Sequence, residues 1–341
     1  MRYSFRMRRQ LLLLISISLT SCAVEPSAAS KARFEAAAAY SAEKGGQALL
    51  VIEDGQTVLE QYQAGGGKNT PQRIYSGTKA FWGRAMLEAE KRGLLDLDEK
   101  ASETLPEWQK DPAKAAITLR ELMTFSAGLE PLPALHENEY PDRTAAALKA
   151  RIVARPGRAF IYGPAALQVM HEVLRRKLAP QKITPTRFLE RHVLSDLGLG
   201  AQRYLADKRG APLLAAGFML TARQWSRMGR EMLDLPAAAL QGSRANPSYA
   251  FGFWNNRGAG NLRARETDIE TLLGREWPLQ SWSRVCLCKD APAGLIACIG
   301  SKGQRLYVWP EKKLIIVRFG KEDAFRDAEF LRRVRWVASK D

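Results

Sequence analysis

Histidine, cysteine and acid are all in short supply. The 341 residues include three histidines and four cysteines. His136, His171 and His192 lie far apart, without ligand spacing, and distant in sequence from Cys286, Cys288 and Cys298, which argues against a zinc centre. No Gly-x-Ser-x-Gly elbow occurs, which argues against a Ser-His-Asp hydrolase built on that turn. After residue 22 no stretch reaches the roughly 20 apolar residues that a membrane-crossing helix needs. Lys and Arg outnumber Asp and Glu by 52 to 36, a formal net charge of +16. No nucleic-acid-binding motif accompanies that excess, so no nucleic acid partner is expected. The composition, 46% apolar and 26% charged, is that of a globular chain with a real core.

The N-terminus differs from the rest. Arg2, Arg6, Arg8 and Arg9 precede an apolar run from Leu11 to Leu19, which ends in Thr20-Ser21-Cys22. A basic start, a short apolar stretch and a small-residue end make an export signal. Leu19-Thr-Ser-Cys22 resembles a bacterial lipobox, which implies that residues 1–22 are a lipoprotein signal peptide and that Cys22 is the lipidated residue. A plain secretion signal with an incidental cysteine is the alternative. Ala23, where an Asp would retain such a protein at the inner membrane, favours the outer membrane of a Gram-negative envelope. Residues 23–33 read as a tether. The expected location is therefore outside the cytoplasm, in the periplasm or at the cell surface, with the lipid anchor holding the chain to a membrane. Removal of residues 1–21 lowers the formal charge to +12, enough to attract anionic cell-wall polymers or lipid headgroups. An oxidising compartment permits a disulfide from Cys298 to Cys286 or Cys288, with three buried thiols as the equal alternative.

Two β-rich runs, Gln47 to Ile52 and Thr57 to Tyr62, flank Asp54-Gly55, a strong hairpin signal. From Lys79 to Leu235 the period is helical, with helices expected over Lys79–Arg92, Leu119–Thr124, Thr144–Ala154, Ala165–Lys177, Pro185–Leu194 and Ala222–Leu233. Strand patterns return at Tyr249–Trp254, Leu295–Ile299, Arg305–Trp309 and Leu314–Phe319, followed by a closing helix over Ala324–Val337. Strands at both ends with helices between them predict an α+β fold: one antiparallel sheet built from both termini, with a helical insertion. In such a fold the site lies where the insertion meets the sheet.

The sharpest chemical signal is Ile74-Tyr-Ser-Gly-Thr-Lys79. A serine hydroxyl attacks well only when a base takes its proton, and a lysine serves only when its surroundings lower its pKa. Three residues apart at a helix start, Ser76 and Lys79 share one face. Further along come Leu94-Leu-Asp-Leu-Asp98, Ile117 to Gly128, Gly217 to Arg223, and Gly303-Gln304 to Pro310. That succession resembles the serine β-lactamase and penicillin-binding protein superfamily, in its class C-like branch of esterases, D-aminopeptidases and amide hydrolases. The likeness covers roughly residues 34–338.

The resemblance implies a β-lactamase/transpeptidase-like fold and an acyl-enzyme on Ser76, with Lys79 as its base and no metal or organic cofactor. Tyr162, ahead of a helix, falls at the family's second motif and would share proton transfer, although Pro164 stands where an asparagine is usual. Ser301-Lys302-Gly303 falls at the third, Lys-Thr-Gly or His-x-Gly, with Ser301 at the place of the cation. By the same carry-over the Ser76 and Gln304 N–H groups would form the oxyanion hole. The expected substrates are small esters, amides or peptidoglycan-type peptides. The alternative is a catalytically weakened penicillin-fold binding protein at the cell envelope.

Overall fold

A computed structural model describes residues 28–321 and 324–336. The export signal, Cys22 and the first part of the tether lie outside them. Residues 28–33 are the described end of the stretch read as a tether. A short helix spans Ala28–Ala32, and Arg33 pairs with Glu53 at 2.7 Å and donates to the Arg335 carbonyl.

Seven strands form one antiparallel sheet: β1 (Gly46–Glu53), β2 (Gln56–Tyr62), β3 (Tyr249–Ala250), β4 (Phe253–Asn255), β5 (Ile296–Gly300), β6 (Gln304–Trp309) and β7 (Leu314–Gly320). Their order is β2-β1-β7-β6-β5-β4-β3. The turn between β1 and β2 has positive φ at both Asp54 (47°) and Gly55 (79°), as the Asp-Gly pair predicts. β1 then pairs along its length with β7, from Gly46↔Gly320 to Glu53↔Leu314. The two ends of the chain are thereby joined in one sheet, as the sequence pattern requires.

Helices α1 (Glu35–Glu43), α2 (Thr78–Lys91), α3 (Leu119–Met123), α4 (Pro164–Leu178), α5 (Ala222–Leu233), α6 (Ile269–Leu273) and α7 (Asp327–Arg332) position the rest. α1 and α7 pack together, while α5 lies on β1, β6 and β7. Thr221 and Gln224 form a capping box that starts α5, and its Trp225 stacks on Phe319 of β7, with ring centres 5.6 Å apart. Burying such a side chain contributes roughly 1.5–3 kcal/mol.

Three expected elements differ. The run Tyr249–Trp254 is not one strand but the hairpin β3–β4, turned at Phe251 and Gly252, both at positive φ. The helix expected over Thr144–Ala154 spans Arg143–Leu148. The following residues are extended because their backbone bonds the 128–130 segment, Val153 N–H to Gly128 and the Arg151 carbonyl to Glu130. The closing helix covers only Asp327–Arg332 of the described residues. Cys286, Cys288 and Cys298 are buried free thiols, so the disulfide alternative is replaced by the reduced one.

Candidate functional site

Ser76 lies in a single 3-10 turn, Tyr75–Gly77, that runs directly into α2. Tyr75, just before it, is held at φ 45°, a backbone state that bulky residues rarely adopt. Tertiary bonds impose it. The Ile74 N–H donates to the Phe218 carbonyl at 3.1 Å, and Gln72–Arg73 pairs with Met219–Leu220. Local backbone strain of this kind is a recurrent feature of functional sites.

Lys79, in the first turn of α2, is 2% exposed. Its Nζ donates to Ser76 Oγ at 2.8 Å and to the Ala215 carbonyl at 2.9 Å. Among the described residues no carboxylate pairs with it, and burial pushes its pKa down to about 7. A substantial fraction of such a lysine is neutral at physiological pH and able to accept a proton.

Tyr162 precedes α4, whose first residue is Pro164. Its ring is held by Phe125 (4.9 Å between centres), Tyr249 and Trp254, and lies 4.7 Å from Lys79 Nζ. Burial drives its pKa up, partly opposed by a hydrogen bond with Ser76, so the phenol stays protonated at neutral pH. The three residues that sequence reasoning grouped as catalytic therefore meet in one place. They open onto a cleft of about 620 Å³, bounded by the Pro131–His136 loop, by α6 and the residues after it, and by the end of β5.

The third motif is only partly where expected. Ser301 lines the cleft, but Lys302, Gly303 and Gln304 do not. Gly300 and Gln304 pair across a three-residue turn, so Gln304 already belongs to β6. Its side-chain amide is buried against Gly320 of β7, donating to that carbonyl at 2.7 Å. Gln304 thus does not line the cleft, and its side chain is turned toward β7. Lys302 is exposed, and its side chain lies outside the cleft. Gly300 abuts the Ser76 turn: a Cβ there would sit 2.1 Å from the Ile74 carbonyl oxygen, so no larger residue fits.

Among the cleft residues that were not anticipated, two carry titratable side chains close to the motifs. His136 lines the cleft, with Nδ1 3.2 Å from the Pro133 carbonyl. Partial burial, and then the Lys79 charge, hold its pKa below the ordinary imidazole value. Glu270 of α6 bonds Arg305 at 2.6 Å and accepts the Lys302 N–H at 3.0 Å. No local sequence pattern marks either residue; loop and helix packing alone bring them in. A possible metal-ligand group, Glu266, Cys288 and Asp290, lies elsewhere, and Arg332 bonds both of its carboxylates.

Solved structures share the fold. EstCE1, a hydrolase with promiscuous acyltransferase activity, matches 90% of this chain with all of its own at a TM-score of 0.63 and 17% identity. A class C beta lactamase from Rhodobacter sphaeroides matches 88% of this chain with 97% of its own (TM-score 0.61, 18% identity). A penicillin-binding protein homolog from Caulobacter crescentus matches 89% with 96% of its own (0.60, 16%). At these identities the likeness is one of fold. No curated protein matches the sequence. The family model named Beta-lactamase matches residues 32–339, nearly all of the described chain, and the protein belongs to that family.

Proposed function

We propose that this protein is a serine hydrolase that forms an acyl-enzyme on Ser76 and transfers the acyl group to water. The observation that carries this reading is the buried Lys79 bonded to Ser76 at 2.8 Å, with no carboxylate among the described residues to hold its proton. In the acylation step Ser76 Oγ attacks the substrate carbonyl as its proton passes to Lys79 Nζ. The Tyr162 hydroxyl, kept neutral by burial, relays a proton to the leaving alcohol or amine. Water then attacks the ester on Ser76 and the same groups return the proton.

The oxyanion would be bound by the N–H groups of Ser76 and Ser301. Support for Ser301 comes from its peptide plane. The Gly300 carbonyl accepts Arg305 Nη1 at 2.8 Å, beneath the turn. The peptide is trans, so the Ser301 N–H points away from Arg305. Removing one such donor costs about 10²–10³ in rate.

The cleft wall is mostly uncharged and rigid, with Pro131, Pro133, Leu273, Trp277 and Pro278 along it. A small, uncharged ester or amide with an apolar acyl group fits that lining. A fluorescent alkyl fluorophosphonate is the direct test. Labelling of wild type that disappears in a folded Ser76→Ala variant is the expected result; an unlabelled wild type would favour a binding protein.

A further inference from the structure

The turn that carries Ser301 has an unusual support. Lys302 and Gly303 are both in the left-handed region, at φ 62° and 71°, which aims successive N–H groups into one concavity. Such a nest binds anions, and here it is filled by a side chain. Glu270 accepts the Lys302 N–H at 3.0 Å through Oε1 and the Gly303 N–H at 3.4 Å through Oε2. Glu270 Oε2 also accepts Arg305 Nη2 at 2.6 Å. Arg305 is fully buried, and Asp327 of α7 fixes it with two bonds, at 2.7 and 3.0 Å. Its remaining terminal nitrogen holds the carbonyls of Gly300 and Gln304, at 2.8 and 3.0 Å, which are the two ends of the turn.

We propose that Glu270 is a positioning residue whose carboxylate clamps the Lys302 and Gly303 amides and, through Arg305, aims the Ser301 N–H at the oxyanion formed on Ser76. The inference rests on the hydrolase reading and extends it to a residue outside all three motifs. Every peptide flanking Ser301 is tied on one side or the other: Gly300 by Arg305, Lys302 and Gly303 by Glu270. By the family resemblance, a motif residue is expected at this turn. In this chain the turn is shaped by an acid from another element, which leaves the Lys302 side chain in solvent. Without the carboxylate, two adjacent N–H groups would lose their acceptor and Lys302 would have no partner to hold it at positive φ.

The test compares the full-length wild type with Glu270→Gln, Glu270→Ala and Lys302→Pro, each checked for folding by circular dichroism. Three readouts are taken: hydrolysis of a chromogenic butyrate ester, fluorophosphonate labelling of Ser76, and hydrogen exchange of the 302 and 303 amides. Gln keeps one acceptor oxygen, but its amide NH2 must then face either the Lys302 N–H or Arg305 Nη2, so Glu270→Gln should fall between wild type and Glu270→Ala, losing about tenfold in kcat. Glu270→Ala should lower kcat about 100-fold, as expected for a catalytic donor displaced by an ångström, with KM within threefold and both amides exchanging faster. Lys302→Pro removes one donor and demands φ near −65°, so it should lose kcat similarly, and it keeps the test decisive if Glu270→Ala does not fold. Equal losses in Gln and Ala, unchanged kcat in Ala, or unchanged amide exchange would each overturn the clamp while leaving Ser76 as nucleophile. Failure to label wild-type Ser76 would overturn the hydrolase reading, and the catalytic role of Glu270 with it.

Discussion

Lys79 Nζ stands 2.8 Å from Ser76 Oγ, and its second bond, at 2.9 Å, goes to a carbonyl rather than a carboxylate. That pairing separates a base from a structural cation. Ser76→Ala should abolish acyl-enzyme formation in a folded protein. Lys79→Ala should cost on the order of 10³-fold in kcat/KM, because the residual rate must come from binding and the oxyanion donors. The measurement is labelling and ester hydrolysis in variants of unchanged circular dichroism. Turnover retained by Ser76→Ala would remove the assignment.

The lysine's environment also sets two pH dependences. A base with its pKa near 7 must lose its proton to act, so kcat/KM should rise with pH through about 7. Stability should move the same way at higher pH. In the unfolded chain the lysine titrates near 10.4, so between about 7 and 10.4 the unfolded state binds the extra proton and stability climbs with pH. Below 7 both states are protonated and this group adds no further slope. Each unit of separation corresponds to about 1.4 kcal/mol. Urea midpoints from pH 7 to 10 should therefore rise more steeply in wild type than in Lys79→Met. Parallel curves would mean that the buried ammonium is not destabilised.

How much of this was legible in the chain depends on how local each signal is. Asp54-Gly55 needs only its own backbone preferences to make a hairpin, and Ser76 and Lys79 need only one helical turn to meet. The parting of Ser301 from Gln304 depends on a ladder register, Gly300↔Gln304, and on a positive φ at Lys302. A lysine carries no sequence cue for that conformation; the acceptor that supports it, Glu270, is 32 residues away. His136 reaches the cleft through a loop whose course is set by packing, not by period. The motifs thus marked Ser76 and Lys79, while the cleft walls and the turn at 301–303 were set by tertiary bonds that no short pattern encodes.

Cys22 lies outside the described residues, so its role is argued from Leu19-Thr-Ser-Cys22 alone. If it is lipidated, the protein made in a lipoprotein-processing host should partition into the detergent phase, and Cys22→Ala should shift it to the aqueous phase or mislocalise it. Mass spectrometry of the mature N-terminus checks the modification. An unmodified wild type that stays in the aqueous phase would leave only the plain secretion signal.

The substrate preference follows from what the cleft lacks. Pro164 offers no side-chain amide for an acylamino group, and Ser301 supplies no cation for a substrate carboxylate. Missing contacts of these kinds cost together about 2–4 kcal/mol, or roughly 30- to 1000-fold in kcat/KM if they add. A chromogenic butyrate ester needs neither contact, whereas a chromogenic cephalosporin needs both, so the ester should be the better substrate by that order. Lys302 cannot make up the loss, since its side chain lies outside the cleft; Lys302→Ala should change either rate less than twofold. Besides Lys79, the cation on the cleft wall is Arg275, and Glu270 and Glu276 share that wall, which offsets its pull on an anion. Arg275→Ala should accordingly leave the ester rate intact and change a cephalosporin rate only slightly. Efficient cephalosporin turnover that collapses in Arg275→Ala would show that the missing cation has been supplied from α6's side of the cleft, and that the preference for neutral esters is wrong.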